Sequence, residues 1–197
     1  MNTAAPPLAL AQLLSRHSLG VKHLHDPGPD DQALCWMAQA ALKAPDHAEL
    51  VPFRFQVIRG AARERLAHLF GQAARAAGKD EAGVGLDAER ALRAPVTVAV
   101  LARIDLGHPL VPAHEQWVAV GGALANYLHA AHLLGFAGKM LSGAKARDPG
   151  LIAAFCSPGE SLLGWIALGT AGREPATRAP KALAHDIWSD WAPDERA

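Results

Sequence analysis

The chain has 197 residues, half of them hydrophobic, at a mean hydropathy of +0.06, a size and composition suited to one globular domain that buries most of its unfolded surface. Lys plus Arg and Asp plus Glu balance at 19 each. No overall basic field therefore draws it to nucleic acid or to an anionic membrane.

The apolar opening, Met1 to Gln12, has no basic n-region and soon meets Arg16 and His17, so it reads as neither a signal peptide nor a bilayer span. Leu8 to Ser15 is predicted as a short helix. Asp30-Asp31 followed by Leu34, Met37, Ala38, Ala41 and Leu42 predicts an N-capped amphipathic helix, and Pro45 ends it. Phe53, Phe55 and Val57 alternate with Arg54, Gln56 and Ile58 in a predicted strand closed by Gly60. A helix follows from Ala61 to Ala77. Gly78 to Gly85 has the glycine and charge content of a flexible loop, a candidate mobile lid, before one or two helical turns at Leu86 to Arg93.

Pro95 introduces Val96 to Leu101, the strongest β-propensity run in the chain and a predicted buried strand. His114 to Leu134 is the longest predicted helix, with Val120, Leu124, Tyr127, Leu128, Ala131 and Leu134 at three- and four-residue steps. Phe136 to Leu141 and Leu162 to Leu168 read as strands separated by a helix around Pro149 to Phe155. This alternation makes an α+β or α/β sandwich the natural class. After Gly172 come Pro175, Pro180 and Pro193 among charges, then Trp188 and Trp191, which argue for a docked tail.

Two cysteines, Cys35 and Cys156, stand far apart and form no CxxC, which points to buried, inert thiols in a reducing cytoplasm. Ten histidines include His129 and His132 on one helix face and a His23, His25, Asp26 cluster, but no HExxH supports a metal. Gly83-Val84-Gly85 is only a fragment of GxGxxG. Neither a P-loop nor a GxSxG elbow is present.

Three segments carry a more specific signal. Ser15-Arg16-His17-Ser18 offers a guanidinium and hydroxyls behind an apolar run, a set suited to a phosphate. Lys43-Ala44-Pro45-Asp46-His47 leads into Pro52-Phe53-Arg54-Phe55, and Gly138-Lys139-Met140-Leu141-Ser142-Gly143 forms a glycine-flanked turn after a strand. In this order and spacing, over about Leu13 to Thr170, they resemble the nitroreductase family of FMN-dependent oxidoreductases, nearest its small NAD(P)H nitroreductase branch.

That resemblance implies an α+β fold, a mixed central sheet flanked by helices. Residues 1–171 would form one FMN-binding domain, and residues 172–197 an extension packed on the partner of a homodimer. Two FMN sites would lie at the dimer interface, built from both subunits. The implied cofactor contacts are Arg16, His17, Ser18, Lys43, His47, Met140, Leu141 and Ser142, with no metal and no catalytic side chain. Arg16 and Ser18 would hold the phosphate; His17 replaces a second family arginine, which would lower phosphate affinity unless Lys22 replaces the missing charge. Lys43 and His47 would touch the flavin, with Lys43 placing charge by the pyrimidine edge and raising the reduction potential. Phe53 keeps an aromatic wall where the family has tryptophan. Met140-Leu141 replaces an aromatic-basic pair with an apolar one, Lys139 lying one position earlier. Glu115-Gln116 matches a pair in the branch and is assigned no chemistry. The implied reaction carries hydride from NADH or NADPH through flavin N5 to a nitroaromatic, quinone or similar small acceptor, in the cytoplasm. The alternative is a non-catalytic dimer of this fold whose departures mark a site that binds FMN weakly or takes another ligand.

Overall fold

Alternation along Val96–Arg103 organises the molecule. This is strand β3 in the computed structural model, which describes residues 5–173 and 181–191. The helices are α1 (Leu8–Ser15), α2 (Asp31–Ala41), α3 (Ala62–Ala76), α4 (Glu81–Leu92), α5 (Ala113–Leu133) and α6 (Pro149–Phe155). The other strands are β1 (Leu24–His25), β2 (Phe53–Ile58), β4 (Ala137–Leu141) and β5 (Glu160–Ala171). Side chains of a strand alternate between faces. Val96, Val98, Val100 and Ala102 accordingly join Leu34 and Met37 of α2 and Val120, Ala123 and Tyr127 of α5. Ala99 and Leu101 join Leu66 and Phe70 of α3, Ala91 of α4 and Leu151 of α6 on the opposite face. A sheet with helices on both faces is the result, of α+β class.

All ladders between the named strands are antiparallel: β2 with β3, β3 with β5, β4 with β5 and β1 with β5. Among the described residues the parallel component of the sheet is a single bridge between Ser18 and Gly138. Asp30 caps α2 by accepting the Ala33 N–H at 2.8 Å. The helix stops before Pro45, as predicted. The two-residue strand β1 escapes a periodicity argument because it is too short to show one, and β5 extends beyond the predicted Leu162 to Leu168 at both ends.

Two expectations are corrected. The segment Gly78 to Gly85 is not a loop or lid, because α4 begins at Glu81. Asp80 caps it by accepting the Gly83 N–H at 2.8 Å, and Val84, Asp87 and Ala91 supply a buried face. Packing of that face on α3 outweighs the helix cost of Gly83 and Gly85. Cys35 is not buried, since Leu34 and Met37 take the inner face of α2 and leave it outside; Cys156 is half-buried, and burial pushes its thiol above the ordinary range.

In the tail, Pro175, Pro180 and Pro193 lie outside the described residues. Residues 181–191 hold one short turn, Ala184–Asp186, and Trp188 and Trp191 are 65% and 88% exposed within a single chain. Among the described residues no helix is long and apolar enough to cross a membrane.

Candidate functional site

The end of α1 sets the first segment. Ser15 Oγ lies 2.8 Å from His132 Nε2 on α5, and that nitrogen is also 3.0 Å from the Gln12 carbonyl oxygen. The His17 ring donates from Nδ1 to the Ser15 carbonyl at 3.0 Å, tying the imidazole to its own turn. Arg16 is half-buried, and among the described residues its guanidinium has neither an ion-pair nor a hydrogen-bond partner. Burial, followed by the Arg16 charge, holds the His129 pKa below its ordinary 6.5, so His129 remains neutral beside the guanidinium at pH 7. Ser18 then bridges to Gly138. A Cβ on residue 138 would sit 3.0 Å from Leu168 and 3.2 Å from Leu128 side-chain atoms, so glycine keeps the packing around this bridge uncrowded.

That bridge joins the first segment to the third. Strand β4 carries Met140 and Leu141, both half-buried, and delivers the exposed Ser142 to Gly143, whose φ of +113° turns the chain into Ala144–Arg147. Leu141 and Ser142 line a pocket of about 300 Å³, at the lower limit for small-molecule sites. Its other walls include the apolar rings of Phe70 and Trp165 and the charged groups Asp87, Arg90 and Lys145. The indole N–H of Trp165 is buried without a hydrogen-bond partner. A second pocket of about 310 Å³ shares Asp87 and Lys145 with the first.

The second segment lies elsewhere. Ala44 packs against Gly122 of α5, where an added Cβ would stand 3.2 Å from the alanine methyl. Lys43 is exposed and unpaired among the described residues. Asp46 Oδ2 accepts the Val51 N–H at 2.7 Å across a turn in which Ala48, Glu49 and Val51 have φ of 62°, 53° and 47°. A β-branched residue in left-handed backbone is strained, and such strain persists only where surrounding contacts impose it. His47 Nδ1 lies 2.7 Å from Glu115 Oε2 at the start of α5. Glu115, to which no chemistry was assigned, is thus the orienting partner of His47. At 1.5 Å per residue, Glu115 and His129 are separated by about 20 Å along α5. Within one chain, then, Ser18 is joined to Gly138, two residues before Met140, whereas His47 lies near the far end of α5 from His129, the residue that feels the Arg16 charge.

The family model for the nitroreductase family matches residues 13–170. The chain belongs to the nitroreductase family. It is 34% identical over 170 residues to the Escherichia coli K12 protein named "Putative NAD(P)H nitroreductase YdjA", covering 86% of this chain and 91% of that one. A Haemophilus influenzae protein named "Putative NAD(P)H nitroreductase" is 32% identical over 176 residues, covering 89% of this chain and 94% of its own. Among solved structures, the nitroreductase-like family protein of Bacillus cereus aligns over 96% of this chain and 100% of its own, at a TM-score of 0.79 and 17% identity. A nitroreductase with bound FMN from Desulfitobacterium hafniense DCB-2 aligns over 95% and 100%, at 0.64 and 20%. At these identities the structures show the shared fold.

Within the nitroreductase fold, three pocket groups escaped the sequence reading. Asp87 carried a usable signal: it is an acid on the buried stripe of α4 with Val84 and Ala91, and a buried acid requires partners. Lys145 and Arg90 carried none, because a turn lysine and a helix-end arginine are ordinary solvated charges. Gln116 is also buried. Its amide accepts the Asp105 N–H and donates to the Asp105 and Val111 carbonyls, at 2.8 to 2.9 Å, fixing the loop that leads into α5.

Proposed function

We propose that this chain is an FMN-dependent NAD(P)H oxidoreductase that passes hydride to a nitroaromatic, quinone or similar small organic acceptor. The observation that carries this reading is the half-buried, unpartnered Arg16 guanidinium, joined through the Ser18–Gly138 bridge to the strand that ends in the Leu141-Ser142 pocket. A half-buried guanidinium with no protein anion beside it among the described residues is free to take one, and a phosphate monoester would meet it with charge and paired hydrogen bonds. The pocket suits a flat, partly polar ring: Phe70, Trp165 and Leu141 give apolar walls, and Arg90 and Lys145 bring positive charge. Bound FMN would supply the hydride chemistry itself. The protein's part is to grip the phosphate with Arg16 and Ser18, to exclude water with the apolar walls, and to set cations where negative charge accumulates. Support for a nicotinamide donor comes from the names of the E. coli and H. influenzae relatives.

Lys43 and His47 enter this reading through a homodimer in which each site takes them from the other subunit. The separation of His47 from Arg16 along α5 within one chain favours that arrangement. So does the apolar surface left exposed: α1 buries none of its residues and shows Leu8 and Leu14, and Trp36, Trp117 and Val118 are exposed on α2 and α5. In the same reading, residues 172–197 form an extension that rests on the partner through Trp188 and Trp191.

The test is a visible spectrum after FMN addition and desalting, followed by anaerobic NADPH or NADH. Retained yellow flavin that bleaches is expected. Arg16→Ala should lose about 2 kcal/mol of flavin affinity, more than tenfold, as expected for removal of a charge-assisted contact. Equal flavin content in the variant would remove Arg16 from the phosphate site. A protein that retains no flavin under any condition would turn the reading to the non-catalytic dimer.

A further inference from the structure

The wall shared by the two pockets is a carboxylate surrounded by more cations than it can neutralise. The Asp87 side chain is 2% exposed; its Oδ2 accepts from Lys79 Nζ at 2.7 Å and from Lys145 Nζ at 2.8 Å, and Oδ1 lies 3.4 Å from Arg90 Nη1. Three cations against one carboxylate leave two formal positive charges in excess. Burial pushes the carboxyl pKa up, but the hydrogen bonds from Lys145 and Lys79 outweigh it and hold it below 3.8, so the group is ionised at neutral pH.

The four groups come from different parts of the chain. Lys79 precedes α4, and Asp87 and Arg90 belong to it, whereas Lys145 lies in the turn that directly follows Ser142-Gly143. Gly143 sets the direction of that turn. Its distance from α4 is set by the Lys145–Asp87 pair, with the ammonium also 5.5 Å from the centre of the Phe70 ring.

We propose that Asp87 is a positioning residue for the cofactor pocket: it anchors Lys145, and with it the Ser142 to Lys145 turn, against α4, and so fixes where positive charge meets the bound ring. The proposal rests on the flavin reading. A fixed cation beside the ring favours the reduced state, which carries more negative charge, whereas an ammonium released into solvent is screened and does much less. Asp87 thereby controls the strength of the Lys145 effect.

The measurement is the preference of the protein for reduced over oxidised FMN, taken from the midpoint potential of the bound flavin against free FMN. Lys145→Gln should lower that preference about tenfold, or about 30 mV for a two-electron couple. In an Asp87→Asn background the same lysine substitution should change it less than about threefold, because the ammonium is no longer held; this coupling is what a double-mutant cycle reads. If Asp87→Asn does not fold, Asp87→Ser, whose uncharged hydroxyl no longer pairs with the ammonium, takes its place in the cycle. Lys145→Arg, which keeps the charge and can reach Asp87, should restore most of the preference. An unchanged potential in Lys145→Gln overturns the proposal while leaving the flavin reading standing. So does an equal Lys145 effect in both backgrounds, because a purely structural Asp87 would leave it unaltered. A wild-type protein that retains no flavin overturns the underlying reading and the proposal with it.

Discussion

Gly164→Ala is expected to destabilise the protein by about 3 kcal/mol, lowering the thermal midpoint by roughly 6–12 °C for a chain of this length. Gly164 has φ of +136° and sits where β5 bulges against β3, so that Val100 faces Gly164 while Leu101 faces Leu162. A Cβ there would overlap the Leu141 carbonyl oxygen and stand 3.1 Å from Met140 Cε. Backbone cannot rotate away as a flexible side chain can, so β4 must shift or the bulge must rebuild. Strain from a side chain on positive-φ backbone adds to the overlap. The displaced atoms belong to Leu141, next to Ser142, and on the proposed flavin reading the variant should therefore retain less FMN at temperatures where it is still folded. Gly85→Ala is the matching control. It lies on the exposed side of α4 with nothing within 4 Å of an added Cβ, and should stabilise by about 0.5–1 kcal/mol through helix propensity. Equal midpoints for Gly164→Ala and the wild type would show that the bulge relaxes without cost.

These opposite outcomes for two glycines indicate what the amino-acid sequence could and could not disclose. Periodicity exposed α2, α5 and β3 because their buried residues follow the period of the element: Leu34, Met37 and Ala41 on one helix, Val120, Ala123, Tyr127 and Ala131 on another, and alternate positions along the strand. The start of α4 was hidden because Gly83 and Gly85 weigh locally against helix, and the contact that overrides them comes from α3. Cys35 was misplaced for a related reason: residue type predicted burial, but its position on α2 relative to Leu34 and Met37 decides its face. The three segments that carry the family resemblance were recognisable in the chain, yet their spatial arrangement was not. Ser18 meets Gly138 across a bridge of large sequence separation, and Asp87 gains Lys145 only because the turn after Gly143 folds onto α4. Long-range pairings of this kind leave no local pattern.

Arg54→Met should be the other strongly destabilising substitution, at about 3 kcal/mol, because it leaves a buried carboxylate without its main partner. Glu160 is 4% exposed and accepts from Arg54 Nε at 2.7 Å and Nη2 at 2.6 Å in a two-pronged pair. Arg54 also donates to the Phe155 carbonyl at 2.7 Å, and the Ser157 N–H donates to Glu160 Oε2 at 2.8 Å. Arg103 lies 4.0 Å away, too far to replace the lost fork. The Arg54 hydrogen bonds, against the opposing effect of burial, bring the Glu160 pKa from 4.5 down to about 2. A carboxyl whose pKa is lower when folded stabilises the fold in its ionised form. Its contribution is complete above the ordinary 4.5, shrinks as pH falls through the interval, and is gone below about 2. Denaturant midpoints measured between pH 7 and pH 2 should therefore show the gap between wild type and Arg54→Met narrowing towards acid. The double variant Arg54→Met/Glu160→Leu should recover much of the loss at neutral pH, since removing both charges also removes the unpaired one. A double variant no more stable than Arg54→Met at pH 7 would place the cost in the lost Phe155 and packing contacts instead of in the stranded carboxylate.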